Sequence, residues 1–350
     1  MNSKKRVYNL LLLLPSFLLA TCVNPVDLNV VSIPPLLTVD GLINNDGMAR
    51  VKLTYSTSFD PDLTNQNYPV TDAIVFLNNS SGEQYPLFEY EFGIYELDSN
   101  VYKGVIGEEY WVSIETEDGE LYESRPEKLN AVPDIEEIYF EIEDRLTKSF
   151  SGFDLTIYGM QFFVRTNDPF ETRNHYRWDW TAKREINTVA PPPEPGASPI
   201  TCCFQCWVDY FPSKEVTILS DERSNGKSIK KQPIVFLEYD SNMPKMELVV
   251  SQSSLTAEAY EFWKRVKQQQ ENAGSVFEPA PAAIIGNIYN VNDPDEVVFG
   301  WFGASAITYK KVQYRNIDIP FQNGSSPEGV DCRSLKNSTD VMPEDPFWWY

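Results

Sequence analysis

Histidine occurs once in these 350 residues, at position 175. A Ser–His–Asp or Cys–His nucleophilic system would have to be assembled around that single ring, and a histidine-built metal site has no material. The bland assignment for His175, a structural or surface residue on or beside a strand, is therefore the expectation. No GxSxG elbow and no glycine-rich phosphate loop is present, so two common ways of presenting a serine nucleophile or holding a nucleotide are missing. Basic residues are scarce: 29 Lys and Arg stand against 51 Asp and Glu, a net charge of −22. Nucleic acid and anionic headgroups would repel such a surface. No apolar run reaches the roughly 20 residues that a membrane-spanning helix needs.

The longest apolar stretch lies at the start. Lys4, Lys5 and Arg6 precede a short apolar run from Leu10 to Ala20, interrupted by Pro15 and followed by Thr21-Cys22. Its length is that of a signal-peptide core. A cysteine directly after small residues is what a lipoprotein signal peptidase requires, because the thiol accepts a diacylglycerol before cleavage. Residues 1–21 thus read as a lipoprotein signal peptide and Cys22 as the lipid attachment site, carrying acyl chains such as palmitate. Each buried methylene contributes about 0.8 kcal/mol, so several acyl chains make a stable anchor. No cofactor beyond this covalent lipid is expected.

Apolar and aromatic residues, 42% and 13% of the chain, are sufficient for a true core. Residues 22–37, with Pro25, Pro34 and Pro35, read as a tether. Beyond them, short alternating segments are punctuated by turn signals: NNDG after LLTVDGLI, Ser81-Gly82, and Asp118-Gly119 inside EEYWVSIETEDGELYESRP. This pattern predicts a mainly β protein with an immunoglobulin-like β-sandwich over 38–130. A larger β-rich domain is expected over 131–350, with one prominent helix at about 256–273. That helix has Thr256 as N-cap, Gly274 to stop it, and a stripe of Ala259, Phe262, Trp263 and Val266 expected to pack in the core.

Four cysteines remain in the body: Cys202, Cys203, Cys206 and Cys332. Outside the inner membrane such thiols oxidise. The expectation is a disulfide from Cys332 to one of the 202–206 cluster, favoured over a four-thiolate zinc site, which usually has two CxxC hooks. A thioredoxin-like role for CFQC lacks the βαβ context. Asp60 and Asp62 in FDPDLTNQN, and Asp293 and Asp295 in NDPDE, could offer oxygen ligands to calcium but read first as turns. Carboxylates are too abundant for any pair to be singled out from sequence as a glycosidase-like couple.

Several segments in order carry a resemblance: Cys22, LTVDGLI, PVTDAIVFL, GVIGEEYWVSIETEDGELYESRPEKL, YRWDW, CFQCW, SLTAEAYEFWKRVKQQQENAGSVFEPAPAAIIGNIYN and VFGWFGASAITYKKV. Together they resemble a family of Bacteroidota outer-membrane lipoproteins labelled a domain of unknown function, number 4249. Departures are Thr21 before the cysteine, the doubled Cys202-Cys203 and the single late cysteine. The resemblance implies an outer-membrane location, at the cell surface rather than the periplasmic face. It also implies a TonB-dependent transporter as partner, for which the protein would be a non-enzymatic accessory or substrate-capturing subunit, with a small ligand left open. The rival classes are a surface hydrolase acting on glycans or peptides through a carboxylate pair, and a structural envelope protein.

Overall fold

The computed structural model describes residues 35–56, 68–149, 152–188, 204–212, 215–238, 244–272, 283–315 and 331–348. Residues 36–56 and 67–350 fall in one compact unit, described here; the other, residues 1–35 and 57–66, lies almost entirely outside the described residues. The protein is mainly β, with one α-helix among the described residues.

The first half supplies nine strands: β1 (Leu37–Asn44), β2 (Ala49–Tyr55), β3 (Tyr68–Pro69), β4 (Ile74–Asn79), β5 (Gln84–Glu91), β6 (Ile94–Leu97), β7 (Glu109–Glu115), β8 (Leu121–Ser124) and β9 (Glu127–Lys128). Their alternation is what makes them strands. In β7, Tyr110, Val112 and Ile114 are buried while Glu109, Trp111, Ser113 and Glu115 are less so. Gly47, Gly82 and Gly119 occupy the predicted turns with positive φ.

The second half opens with β10 (Ile135–Lys148), β11 (Asp154–Asn167), β12 (His175–Asn187), β13 (Gln205–Tyr210), β14 (Thr217–Ser220), β15 (Ser228–Glu238) and β16 (Lys245–Leu255). Helix α1 (Ala257–Asn272) follows, then β17 (Ile288–Asn290), β18 (Phe299–Ser305), β19 (Ile307–Arg315) and the two-residue β20 (Ser338–Thr339). β10, β11 and β15 form one small antiparallel sheet, and β19-β16-β12-β13-β20 form another, with β14 paired to β12. Phe162, Val164, Tyr176, Trp178, Leu248 and Val250 are among the side chains of their shared core. The Trp178 indole donates to Gln252 Oε1 at 2.8 Å, and the Gln252 amide donates to the Pro133 carbonyl at 2.7 Å, so these two buried polar side chains are paired.

The chain does not keep its halves apart. β17 and β18 return to the first sheet and occupy its two ends, in the order β17-β8-β7-β4-β5-β6-β2-β1-β18. β18 runs parallel to β1, Thr38 opposite Phe299 through Asn44 opposite Ser305. Phe302 and Ala304 enter the same core as Val39, Val51, Leu77 and Tyr110. The approach is close enough that a Cβ at Gly300, whose φ is +98°, would lie 1.8 Å from the Val39 carbonyl oxygen, so only glycine fits there.

Candidate functional site

Helix α1 begins where the first sheet and the later strands meet. Thr256 is its N-cap: the Ala259 N–H donates to Thr256 Oγ1 at 3.1 Å, and the Tyr260 N–H donates to the Thr256 carbonyl at 3.0 Å. The same hydroxyl donates its proton to Glu127 Oε2 at 2.7 Å. Glu127 belongs to β9, opposite Tyr110 of β7, and is only 4% exposed. Burial pushes its carboxyl up to about 7, opposed by the Thr256 hydrogen bond and reinforced by the negative charge of Glu258.

Thr256, Glu127 and Glu258 line an open cleft of about 700 Å³. One wall is aromatic: Phe262 of α1 stacks on Trp301 of β18 at 5.0 Å between ring centres. Arg125 and Arg265 line it together with Glu258 and Glu261. An apolar wall, convergent charges of both signs and one carboxyl titrating near neutrality are what a small-ligand or catalytic site requires. The C-terminal half of α1 borders a second cleft of about 860 Å³. Ile234 and Phe236 of β15 contribute its apolar side, and Gln232, Gln269 and Gln270 its amides. The Arg145 guanidinium lies over the Phe236 ring at 3.9 Å.

The helix stripe behaves differently from the expected core face. Of its residues only Ala259 is buried. Phe262 reaches the first sheet, and Arg177 of β12 lies over Trp263 at 3.9 Å. The apolar period is real, but it bridges two sheets beside a cleft instead of filling a core.

His175 opens β12, 9% exposed, with its ring stacked on Tyr260 at 4.8 Å. Burial holds its imidazole below the ordinary value, against the pull of Asp221 and other acids. No hydrogen bond joins the ring to a hydroxyl or thiol among the described residues. Behind it lies a carboxyl pair that composition could not reveal. Asp168 accepts from the Tyr176 hydroxyl at 2.5 Å and from the Gly226 N–H at 2.8 Å. Asp221, wholly buried, accepts from the Asn174 N–H at 2.8 Å. Its carboxyl is pushed up, first by burial and further by Asp168, while the Asn174 N–H pulls the other way. The pair ties the loop after β11 to the turn before β15.

The remaining sequence candidates separate. Cys206 in β13 and Cys332 are joined by a disulfide with Cα atoms 5.8 Å apart, closing 126 residues of chain. Cys22, Cys202, Cys203, Asp60 and Asp62 lie outside the described residues. Asp293 and Asp295 sit in a turn: Asn290 Oδ1 accepts from the Asn292 and Asp293 N–H groups, and Asp293 Oδ1 accepts from the Asp295 N–H at 3.2 Å. Among the described residues no group of three or more His, Cys, Asp or Glu is placed to hold a metal ion, and no helix is long and apolar enough to cross a membrane.

Fold and cleft together define a β-rich protein with one α-helix among the described residues, set against its sheets, and a charged, aromatic-walled cleft at the helix cap. A family model described as a domain of unknown function (DUF4249) matches residues 23–311. The chain belongs to that family. No protein with a curated description matches it.

Proposed function

We propose that the chain is a Bacteroidota outer-membrane lipoprotein, anchored through Cys22, that works by binding as an accessory or substrate-capturing partner of a TonB-dependent transporter. The observation that carries binding over nucleophilic catalysis is the setting of His175. Its ring is packed flat on Tyr260, its proton affinity is lowered by burial, and no nucleophile is bonded to it among the described residues. A general base for acyl transfer needs a hydroxyl or thiol within reach and a pKa near the working pH. The two clefts flanking α1 are of the size that small ligands occupy. Anchor and export follow from residues 1–22, and the transporter follows from the family resemblance. Affinity purification of the tagged protein from native membranes is the test. A TonB-dependent transporter should co-purify in comparable amount; its absence would overturn the assignment.

One observation favours a second reading, a surface hydrolase acting on glycans or peptides. Glu127 holds its proton near pH 7 in a cleft that also contains Glu258 and Glu261, and a carboxylic acid beside a carboxylate is the working pair of glycoside hydrolysis. Under this reading Glu127→Gln would abolish turnover of a glycan or peptide panel by about 100-fold or more. Under the binding reading the purified protein turns over none of them.

A further inference from the structure

Among the described residues, the β5–β6 hairpin of the first sheet presents an exposed apolar surface. Phe88 is 68% exposed, Tyr90 74% and Phe92 82%. Ile74 and Tyr68 beside them are also exposed. Phe88 and Ile74 are outward neighbours, since the next pair along, Val75 and Leu87, points inward. The loop that carries the aromatics is braced. Glu89 accepts from the Gly93 N–H at 2.8 Å and from the Asp72 N–H at 3.1 Å. Gly93 has φ +73°, and a Cβ there would come within 2.6 Å of the Leu53 carbonyl oxygen.

The position of this hairpin indicates what covers it. The Leu53 N–H donates to the Gly93 carbonyl at 2.8 Å, and Tyr55, two residues on, pairs with Leu37, the first residue of β1. The aromatic tip therefore stands at the end of the sheet where the chain enters from Cys22. Fourteen residues separate Cys22 from Leu37, and a fully extended chain of that length spans at most about 50 Å. Glu91, Glu117 and Asp118 are exposed at the same end, because Ile74 pairs with Glu115 just before the 116–119 turn. Those carboxylates oppose anionic headgroups and can face the cationic end of a zwitterionic one. Tyr rings settle at the boundary between headgroups and acyl chains, and Phe side chains on the apolar face of interfacial segments bury just beneath it.

The geometry points to a lipid-docking hairpin: Phe88, Tyr90 and Phe92 seat the tether-proximal end of the body on a zwitterionic bilayer surface. This rests on the lipid anchor at Cys22 proposed above. The test uses the full-length, exported protein with Phe92, or Val101 at the opposite end of the sheet (61% exposed), replaced by p-benzoylphenylalanine. Each variant is reconstituted in phosphatidylcholine vesicles and irradiated, with circular dichroism to check the fold. Lipid adducts at position 92 should exceed those at 101 by about tenfold, as expected for a ring held at headgroup depth. If position 92 disturbs folding, position 90 takes its place. Intact mass of the same preparation reports Cys22 acylation separately. Acylated protein with equal adducts at both positions overturns the docking hairpin and leaves the anchor standing, whereas unacylated Cys22 removes the anchor and the hairpin's role together. In native membranes, a protein adduct at 92 with no lipid adduct would transfer the patch to a protein partner and overturn the inference.

Discussion

Glu127 carries the strongest residue-scale consequence. Its folded-state pKa, near 7, stands above the ordinary 4.5, so the folded chain binds this proton more tightly than the unfolded chain does. The stabilisation is complete below about pH 4.5 and is lost as pH rises through about 7. At 1.36 kcal/mol per unit, a shift of this size amounts to roughly 3 kcal/mol. Urea unfolding at pH 5 and pH 8 should show the wild type less stable at the higher pH. Glu127→Gln, which keeps an acceptor for Thr256, should narrow that difference by a substantial part; an unchanged difference would remove the near-neutral titration. At His175 the expectation is the opposite. With its ring bonded to no nucleophile among the described residues, His175→Gln should leave uptake by the proposed partner transporter nearly intact. Loss of uptake with fold and complex preserved would move the protein to the enzymes, since losing a true acid–base group typically costs 10²–10⁴-fold.

At the scale of elements, the helix cap and the tail each join parts distant in sequence. Thr256 both caps α1 and bonds Glu127. Thr256→Ala should cost about 1 kcal/mol of stability and raise the Glu127 pKa further, because the hydrogen bond it loses is the one that lowers it. Carboxyl titration followed by carbon-13 NMR reads the second effect. The C-terminal segment is held covalently by Cys206–Cys332 and by packing: Trp348 is 2% exposed, and Lys245 Nζ donates to its carbonyl at 2.8 Å. Cys332→Ser should lower stability by about 2–4 kcal/mol in denaturant titration, and unreduced peptide mapping should show the Cys206–Cys332 link in the wild type. A burial this complete also makes Trp348 a core residue, so its truncation reports on folding and not on an interface.

At the scale of the whole molecule, the acidic composition bears on the proposed lipid anchor. A net charge of −22 opposes approach to anionic surfaces, so the membrane attachment proposed above falls to Cys22. Cys22→Ser should shift the protein out of the detergent-requiring membrane fraction, with the signal uncleaved or miscleaved. Membrane fractionation and intact mass decide this, and undiminished anchoring of the mutant would sink the lipoprotein assignment.

Much of this was legible from one dimension because its physical cause is local. Alternating burial in strands such as β1 and β7, glycines at turns, the Thr256 cap and the bounds of α1 all depend on neighbours a few residues away. A cysteine partner in the 202–206 cluster was legible because few thiols exist to choose from, while the choice of Cys206 was not. What only the tertiary structure decided depends on pairing across long loops. No periodicity announces that β17 and β18 return to the two ends of the first sheet. That return places Trp301 against Phe262, closing one wall of the cleft. Glu127, Asp168 and Asp221 are three among 51 acids. Only burial, which depends on what the rest of the chain packs around them, separates these three from carboxylates left in water.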